Sequence, residues 1–341
     1  MTKAQASVQT SYVDAYLEPF AKWLTDPGIS EFVINPDGQV WIERAGATHM
    51  VSAGILKVEP ANAIDIAQAI VGDAKAKVSK SRPLVSGKID YCGRPLRIQV
   101  AIAPAIEQGA SLSIRLFSTQ GIPGFKAEYL FGEAVSLETR RREKMAEVRK
   151  LAEADLNAAL QRLIELRLNI LISGGTSTGK TTFARHLLGF VNRGERMITI
   201  EDAFELFPPQ PNSVGLLSER DKDTPRSTEA LLAASLRMRP DRIIVGELRG
   251  REALTYLEAI NTGHGGSIST LHAETAKLAI DRLAIMVLQA GTPLTCAEVK
   301  DYIARSIDVI VQLGRNDGRR GVTELYFPGD GVGLRKRCTS R

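Results

Sequence analysis

Residues 174 to 181 read GGTSTGKT, a composition typical of a loop that binds phosphate. They satisfy the pattern G-x-x-x-x-G-K-[ST], in which glycines let successive backbone N–H groups point at phosphate oxygens. The segment follows the aliphatic run LNILIS (168–173) and precedes the helix-like TTFARHLLGFV (181–191). A strand-to-helix loop presents a helix N-terminus to an anion. We therefore expect a nucleotide site here; an ordinary polar turn is the alternative.

The side chains of this loop suit different parts of a nucleotide. Lys180 is expected to reach the β- and γ-phosphates, and Thr181 to hold Mg²⁺. The other expected nucleotide-binding residues are Gly175, Thr176, Ser177, Thr178, Gly179 and Thr182. The loop therefore predicts ATP and Mg²⁺ as cofactors.

Two acids and a histidine end later apolar runs. Glu201 closes MITIE, Glu247 follows RIIVG, and His272 closes SISTLH. The carboxyl ends of parallel strands meet at one edge of a sheet, so these side chains should lie near the loop. An acid there can bind the metal or orient water, and a histidine can contact phosphate or water. Helix caps or surface charges are the alternative; His264, in the turn before the last run, is a second histidine candidate.

The helices and strands that must position these residues follow one pattern in the first third of the chain and another pattern after it. Before residue 118, helical spacing and strand-like alternation are mixed, as in an α+β domain. From residue 156, short apolar strands alternate with helices, which predicts a parallel sheet with crossovers. We expect an N-terminal α+β domain at 1–118, a linker region at 119–155 and an α/β domain at 156–341.

The individual segments follow from spacing. Helices are expected at 14–24, 60–72, 156–164, 181–191, 227–238, 251–261 and 275–290. Strands are expected at 31–35, 39–43, 94–103, 111–117, 168–173, 197–201, 242–247 and 267–272, and residues 314–341 suggest a hairpin with a basic tail.

Composition narrows the class of protein. A length of 341 residues favours two domains, and no apolar stretch approaches the roughly 18 residues of a membrane span. Three scattered cysteines argue against a disulfide framework or zinc site, and no export signal is visible. The net charge of +5 permits contact with acidic lipid or nucleic acid without requiring either. The basic run 138–150 is interpreted as a solvated helix face, with a partner or membrane surface as the alternative.

The ordered set of motifs resembles a known family. GGTSTGKT, ITIEDAFEL, IIVGELRGREA and TGHGGSISTLHA occur in the order found in secretion ATPases of type II and type IV secretion and pilus machines. The segments EPFAKWLTDPGISEFVINPDGQVWIE, GRPLRIQVAIAP and SLSIRLFS resemble the VirB-type traffic ATPases of type IV secretion. The resemblance covers about residues 15 to 313.

The resemblance implies a RecA-like ATPase domain after a smaller α+β domain, with subunits in a ring of six and nucleotide between the two domains. It implies that Arg97 and Arg115 approach the phosphates, that Glu201 activates water, and that Glu247 is the acid beside the metal. It leaves open which glutamate acts on water. Arg249 is expected to act in catalysis; which of Arg237, Arg239 and Arg249 serves a neighbouring subunit stays open.

By the same resemblance, the function is ATP hydrolysis that powers type IV secretion, including conjugative transfer and pilus biogenesis. Expected partners are five further copies of the chain and other cytoplasmic and inner-membrane secretion subunits. The expected location is the cytoplasm, at the periphery of the inner membrane. Direct nucleic-acid binding is left open. The alternatives are a hexameric DNA translocase or helicase, a pilus motor, and a scaffold that binds nucleotide without hydrolysing it.

Overall fold

The computed structural model describes residues 12–117, 126–219, 224–330 and 332–334. These residues form two compact units. The first contains residues 12–117 together with the short segment 237–239, and the second contains the rest. The described part of the chain has no helix long and apolar enough to cross a membrane.

The first unit is built on a six-stranded antiparallel sheet of order β3-β2-β1-β6-β5-β4. Its strands are β1 (Ile29–Ile34), β2 (Gln39–Arg44), β3 (Val51–Lys57), β4 (Leu84–Tyr91), β5 (Arg94–Ile102) and β6 (Ala110–Leu116). Its helices are α1 (Tyr12–Leu17), α2 (Ala21–Leu24) and α3 (Pro60–Asp73), with a 3₁₀ turn at Glu18–Phe20.

The core of this unit follows from strand alternation. Phe32, Ile98 and Ile114 are buried between the sheet and its helices, whereas Arg97 and Arg115 are exposed on the opposite face. The β1–β2 hairpin turns at Gly38, whose φ is +81°. A Cβ at Gly38 would lie 2.1 Å from the Val58 carbonyl oxygen, so this turn requires glycine.

The second unit contains a sheet of order β14-β13-β12-β7-β11-β10-β8-β9 among the described residues. The strands are β7 (Ile170–Gly174), β8 (Met197–Glu201), β9 (Ser213–Leu217), β10 (Arg242–Val245), β11 (Ile268–Leu271), β12 (Val309–Asn316), β13 (Arg319–Phe327) and β14 (Val332–Leu334). The pairs from β12 to β9 are parallel, and β13 and β14 add antiparallel pairs at one edge.

Helices connect the parallel strands. They are α4 (Leu137–Ala154), α5 (Leu156–Glu165), α6 (Lys180–Leu188), α7 (Thr228–Ser235), α8 (Glu252–Asn261), α9 (Ala276–Gln289) and α10 (Cys296–Ser306). Side chains cap several of them: Asp155 accepts the N–H groups of Asn157 and Ala158 at the start of α5. The central strand β7 is fully buried, as expected for a parallel strand covered on both faces.

The expected fold class is confirmed: a parallel-rich α/β unit follows a smaller α+β unit. The expected segments match helices and strands of the structure, but β3, β4, β9, α10 and β12 were not anticipated. Strand β3 carries Gly54 and lies at a sheet edge, where alternation is weak. Of the expected linker, residues 119–125 lie outside the described residues, and α4 contributes Met145 and Val148 to the second unit's core. The tail beyond residue 334 also lies outside them.

A buried ion pair holds the amino ends of the strands that carry the acids. Arg242, at the start of β10, is 1% exposed, and Glu195, just before β8, is 4% exposed. The Arg242 guanidinium donates to both Glu195 carboxylate oxygens, at 2.8 and 3.0 Å. It also donates to the carbonyls of Ile164 and Gly266, at the end of α5 and before β11. One side chain therefore ties four elements together at the amino edge of the sheet.

We expect Glu195→Gln to lower the free energy of unfolding of the second unit by about 3 kcal/mol, because Arg242 keeps its buried charge and loses the carboxylate. Urea unfolding followed by fluorescence measures the effect. The matched control is Glu165→Gln, since Glu165 is exposed and pairs with Arg162 at the surface; its cost should stay within about 0.5 kcal/mol. Equal unfolding midpoints for the two variants would contradict this account.

Candidate nucleotide site

The loop between β7 and α6 has the backbone shape of a phosphate cradle. Ser177 and Gly179 have positive φ values, +61° and +89°, which turn the chain sharply before α6 begins at Lys180. The Thr178 hydroxyl donates to the Gly175 carbonyl at 3.0 Å and closes the loop on itself. A Cβ at Gly174 would come 2.5 Å from Thr178 Oγ1, so the loop tolerates only glycine there.

The Lys180 side chain folds back and contacts the phosphate loop itself. Its side chain is largely buried, and Nζ lies 3.0 Å from the Gly174 carbonyl, 3.1 Å from the Gly175 carbonyl and 3.1 Å from His272 Nδ1. Burial lowers the pKa of Lys180 below its usual range. An ammonium group has only donors, so Nδ1 of His272 must accept. Burial also lowers the pKa of His272, which favours the neutral ring that this contact needs.

From His272 the contacts continue to Glu247 and Arg249. With Nδ1 accepting, His272 carries its proton on Nε2, which lies 3.1 Å from Glu247 Oε1. The other Glu247 oxygen accepts from Arg249 at 2.6 Å. Arg249 also donates to Asp202 at 2.8 Å, and its hydrogen bond to Glu247 raises the pKa of the guanidinium. We call this connected set Lys180, His272, Glu247, Arg249 and Asp202 the charge chain.

Glu201 lies beside the charge chain at the end of β8. Its carboxylate is 5% exposed, and Oε2 accepts the N–H groups of Glu205 at 2.8 Å and Leu206 at 2.9 Å. These two bonds fix the carboxylate and order the loop that follows the strand. Glu201 nevertheless lines the cavity at the phosphate loop, so its position is compatible with orienting a water molecule.

A cavity of about 380 Å³ joins these groups. Its lining includes Ser177, Gly179, Lys180, Thr181, Thr182, Glu201, Glu247 and His272. Gly175 and Thr176 line an adjoining cavity with the start of α9. The predicted loop residues, Glu201, Glu247 and His272 are therefore brought to one edge of the sheet.

Other predicted residues lie elsewhere. His264 precedes β11 and so lies at the opposite, amino edge of the sheet. Arg239 donates to Glu43 at 2.7 Å within the first unit, and Arg237 belongs to the same short segment. Arg249, by contrast, contacts two acids of its own chain.

Arg97 and Arg115 lie in the first unit as neighbours on one face of its sheet. They are directly opposite each other on β5 and β6, and Lys88 on β4 is opposite Arg97. On its other side, Arg115 donates to Glu31 at 2.5 Å. Like charges that face each other across strands cost stability, so this face is suited to an anion. Their approach to a nucleotide in the second unit stays a prediction.

Arg320 is a basic lining residue of the cavity that the sequence did not predict. Arg320, near the start of β13, borders the same cavity as Lys180 and Thr181. The only sequence signal was its place in the basic segment GRNDGRRG (314–321), which by itself indicates an exposed hairpin.

The comparisons with known proteins cover nearly the whole chain. The family model described as "Type II/IV secretion system protein" matches residues 17–321. The chain belongs to this family. The resemblance to secretion ATPases deduced from the four motifs is confirmed.

The similar proteins lie on the type IV side of the family. The chain is 33% identical over 330 residues to "Type IV secretion system protein VirB11" of Bartonella quintana, covering 91% of each. It is 32% identical to "Conjugal transfer protein TrbB" of Rhizobium radiobacter, covering 89% of this chain and 84% of that one. The crystal structure of the VirB11 ATPase from Brucella suis, in complex with sulphate, has a TM-score of 0.79 at 33% identity. It covers 92% of this chain and 97% of its own. The chain is therefore an ATPase of the type IV secretion branch, and the alternative functions are not favoured.

The residues present fit a nucleotide with its metal. The loop offers backbone N–H groups and Lys180 to phosphate. The Thr181 hydroxyl and the Glu247 carboxylate are hard oxygen donors of the kind Mg²⁺ prefers, and phosphates and water supply the rest. Both Glu247 oxygens are engaged by His272 and Arg249.

We expect His272 of the nucleotide-free protein to be neutral at pH 6.5, with its proton on Nε2. Long-range ¹H–¹⁵N NMR spectra distinguish the two tautomers, and the chain has only four histidines to assign. Lys180→Ala should raise the pKa of His272, because a nearby cation is removed. The matched control is Lys277→Ala on the exposed face of α9. A ring protonated on Nδ1, or equal His272 pKa values in the two variants, would contradict the charge chain.

Proposed function

We propose that this protein hydrolyses ATP, with Mg²⁺, to power type IV secretion. The observation that carries the proposal is the charge chain: a phosphate loop whose lysine contacts His272, which in turn contacts the acid Glu247. These groups come from three separate strand ends, so their convergence is not a feature of a simple polar turn. A scaffold that binds nucleotide without hydrolysing it has no need of the ordered acids Glu201 and Glu247.

Lys180 acts by changing partners. Its ammonium contacts two loop carbonyls and His272. On binding ATP, Lys180 exchanges these contacts for phosphate oxygens, which stabilise a charged donor more strongly. His272 then loses its Lys180 contact, and its neutral ring is free to contact the γ-phosphate or water. The contact of His272 with Glu247 thereby connects the phosphate to the second acid.

Glu201 and Glu247 have different roles in this scheme. Glu201 is fixed by two backbone N–H groups and lines the cavity, so it is the better placed of the two to orient and deprotonate water. Glu247 and Thr181 would hold the metal with their oxygens. Arg249 holds Glu247 and Asp202 in place, and its guanidinium would stabilise the charge that develops on the phosphates. Bound Mg²⁺ supplies charge neutralisation of the phosphates.

Arg97 and Arg115 provide the coupling to movement. An anion near Arg97 and Arg115 offsets the repulsion between their charges, so nucleotide binding would drive a domain motion that loss of the γ-phosphate reverses. Repeated in a ring of six subunits, the movement does work on the secretion machine.

The partners are further copies of the chain and the cytoplasmic and inner-membrane subunits of a type IV secretion system. The relatives are named for type IV secretion and conjugal transfer, which supports this assignment. The location is the cytoplasm, peripheral to the inner membrane, where the basic run 138–150 allows contact with acidic lipid. The transported substrate is DNA, protein or both.

Phosphate release by the purified protein tests the proposal. Wild type should hydrolyse MgATP, and Lys180→Ala should lower the rate about a hundredfold or more, because transition-state charge loses its main donor. Lys277→Ala, an exposed lysine removed in the same way, should keep the wild-type rate. Fractions separated by mass show whether activity belongs to the ring. Wild-type turnover in Lys180→Ala would refute the assignment.

We expect Arg97→Ala to lower turnover about tenfold, since one charge-assisted contact to phosphate is lost. The thermal unfolding midpoint should not fall, because Arg97 faces the like charge of Arg115 across the sheet. Arg82→Ala, an exposed arginine of the same unit, is the control and should change neither quantity. If Arg97→Ala turns over ATP at the wild-type rate, Arg97 does not belong to the site. If its thermal unfolding midpoint is lower than that of wild type, Arg97 has a structural role.

A further inference from the structure

The β12–β13 hairpin borders the phosphate loop. Strand β12 is parallel to β7, and Leu313 of β12 is in register with Gly174, where the loop begins. The contact is close: a Cβ at Gly174 would lie 3.0 Å from the Leu313 carbonyl oxygen. The hairpin therefore continues past the end of β7 and runs alongside the loop.

Arg320 is the hairpin residue that reaches the loop. A Cβ at Gly179 would lie 3.8 Å from Arg320 Cδ, so the arginine stem passes over the residue before Lys180. Arg320 lines the same cavity as Lys180, Thr181 and Thr182. The Arg320 side chain therefore lies at the cavity where the N-terminus of α6 can face an anion.

The charge of Arg320 is not balanced within the described residues. The Arg320 side chain has no hydrogen-bond or ion-pair partner among them. Arg249, which lines the same cavity, contacts two acids. Across the hairpin, Arg320 is directly opposite Arg315, which also lacks a partner in the described part of the chain. Two facing arginines cost stability unless an anion lies near them.

We propose that Arg320 binds the phosphates of the nucleotide held by the loop. It donates charge-assisted hydrogen bonds to phosphate oxygens from the side opposite the charge chain, and it belongs to the same subunit as Lys180. The inference rests on the proposed function, because it assigns a further binding residue to that site. A solvated hairpin arginine is the alternative.

Binding of MgATP to the full-length protein tests Arg320. Arg320→Ala should raise the Kd about tenfold at low salt, and the difference from wild type should shrink as salt is raised from about 50 to about 300 mM. Arg319→Ala is the matched control: Arg319 is the adjacent exposed arginine, and strand alternation places it on the other face. Its Kd should stay within about twofold of wild type. Arg320→Lys should recover part of the lost affinity.

Several outcomes overturn the proposal. One is equal Kd values for Arg320→Ala and Arg319→Ala. Another is a loss of affinity that is independent of salt, since a contact with phosphate charge must be screened. A thermal unfolding measurement shows whether Arg320→Ala is folded. Its unfolding midpoint should be no lower than that of wild type, because the substitution removes one of two facing arginines. Should Arg320→Ala fail to fold, Arg320→Gln serves the same comparison.

The result also separates this inference from the proposed function. If wild type fails to bind or hydrolyse MgATP, the proposed function is wrong. If wild type does both and Arg320→Ala matches it at every salt concentration, only the role of Arg320 is wrong.

Discussion

The parallel register of β7, β11, β10 and β8 is the constraint on which the site depends. Because these four strands run in the same direction, the phosphate loop, His272, Glu247 and Glu201 all follow strand ends at one edge of the sheet. Shifting one strand by a residue would turn its side chains to the other face. The buried Arg242–Glu195 pair stabilises the opposite edge, where the same strands begin. The carboxyl edge of the sheet can therefore contain polar side chains and loop residues with positive φ values, because the buried pair stabilises the other edge.

Charge balance within the charge chain stabilises the polar groups at this edge of the sheet. Along the charge chain, Lys180 and Arg249 are cations, Glu247 and Asp202 are anions, and neutral His272 bridges between them. Each charged group of the charge chain therefore has a partner within the protein. A nucleotide brings additional negative charge to this edge, so Lys180 and Arg249 must redistribute their contacts. In the first unit, Arg97 and Arg115 face each other with one acid, Glu31, beside them. The charge chain is thus internally balanced, whereas the sheet face of Lys88, Arg97 and Arg115 carries more basic than acidic side chains.

The sequence alone predicted the phosphate loop and the strand-end residues, because these features follow from the local pattern of residue types. The loop is recognisable because glycines, lysine and threonine must occur at fixed spacing between a strand and a helix. Glu201 and His272 were placed correctly because each ends a short apolar run, and parallel topology brings such ends together. The distant contacts were not predictable in this way. Arg320 reaches Gly179 only because β12 pairs with β7, a register set by packing across more than a hundred residues of chain. Arg249 was expected to serve catalysis or a neighbouring subunit; its contacts with Glu247 and Asp202 depend on how the loops after β8 and β10 fold together.

The most direct test of the account is a cryo-EM structure of the protein with Mg²⁺ and a non-hydrolysable ATP analogue. The central claim is that Lys180 exchanges His272 and the loop carbonyls for phosphate. The structure should therefore show Lys180 Nζ on the β- and γ-phosphate oxygens, with its 3.1 Å contact to His272 Nδ1 broken. A nucleotide bound at the loop while Lys180 still contacts His272 and the Gly174 and Gly175 carbonyls would contradict it.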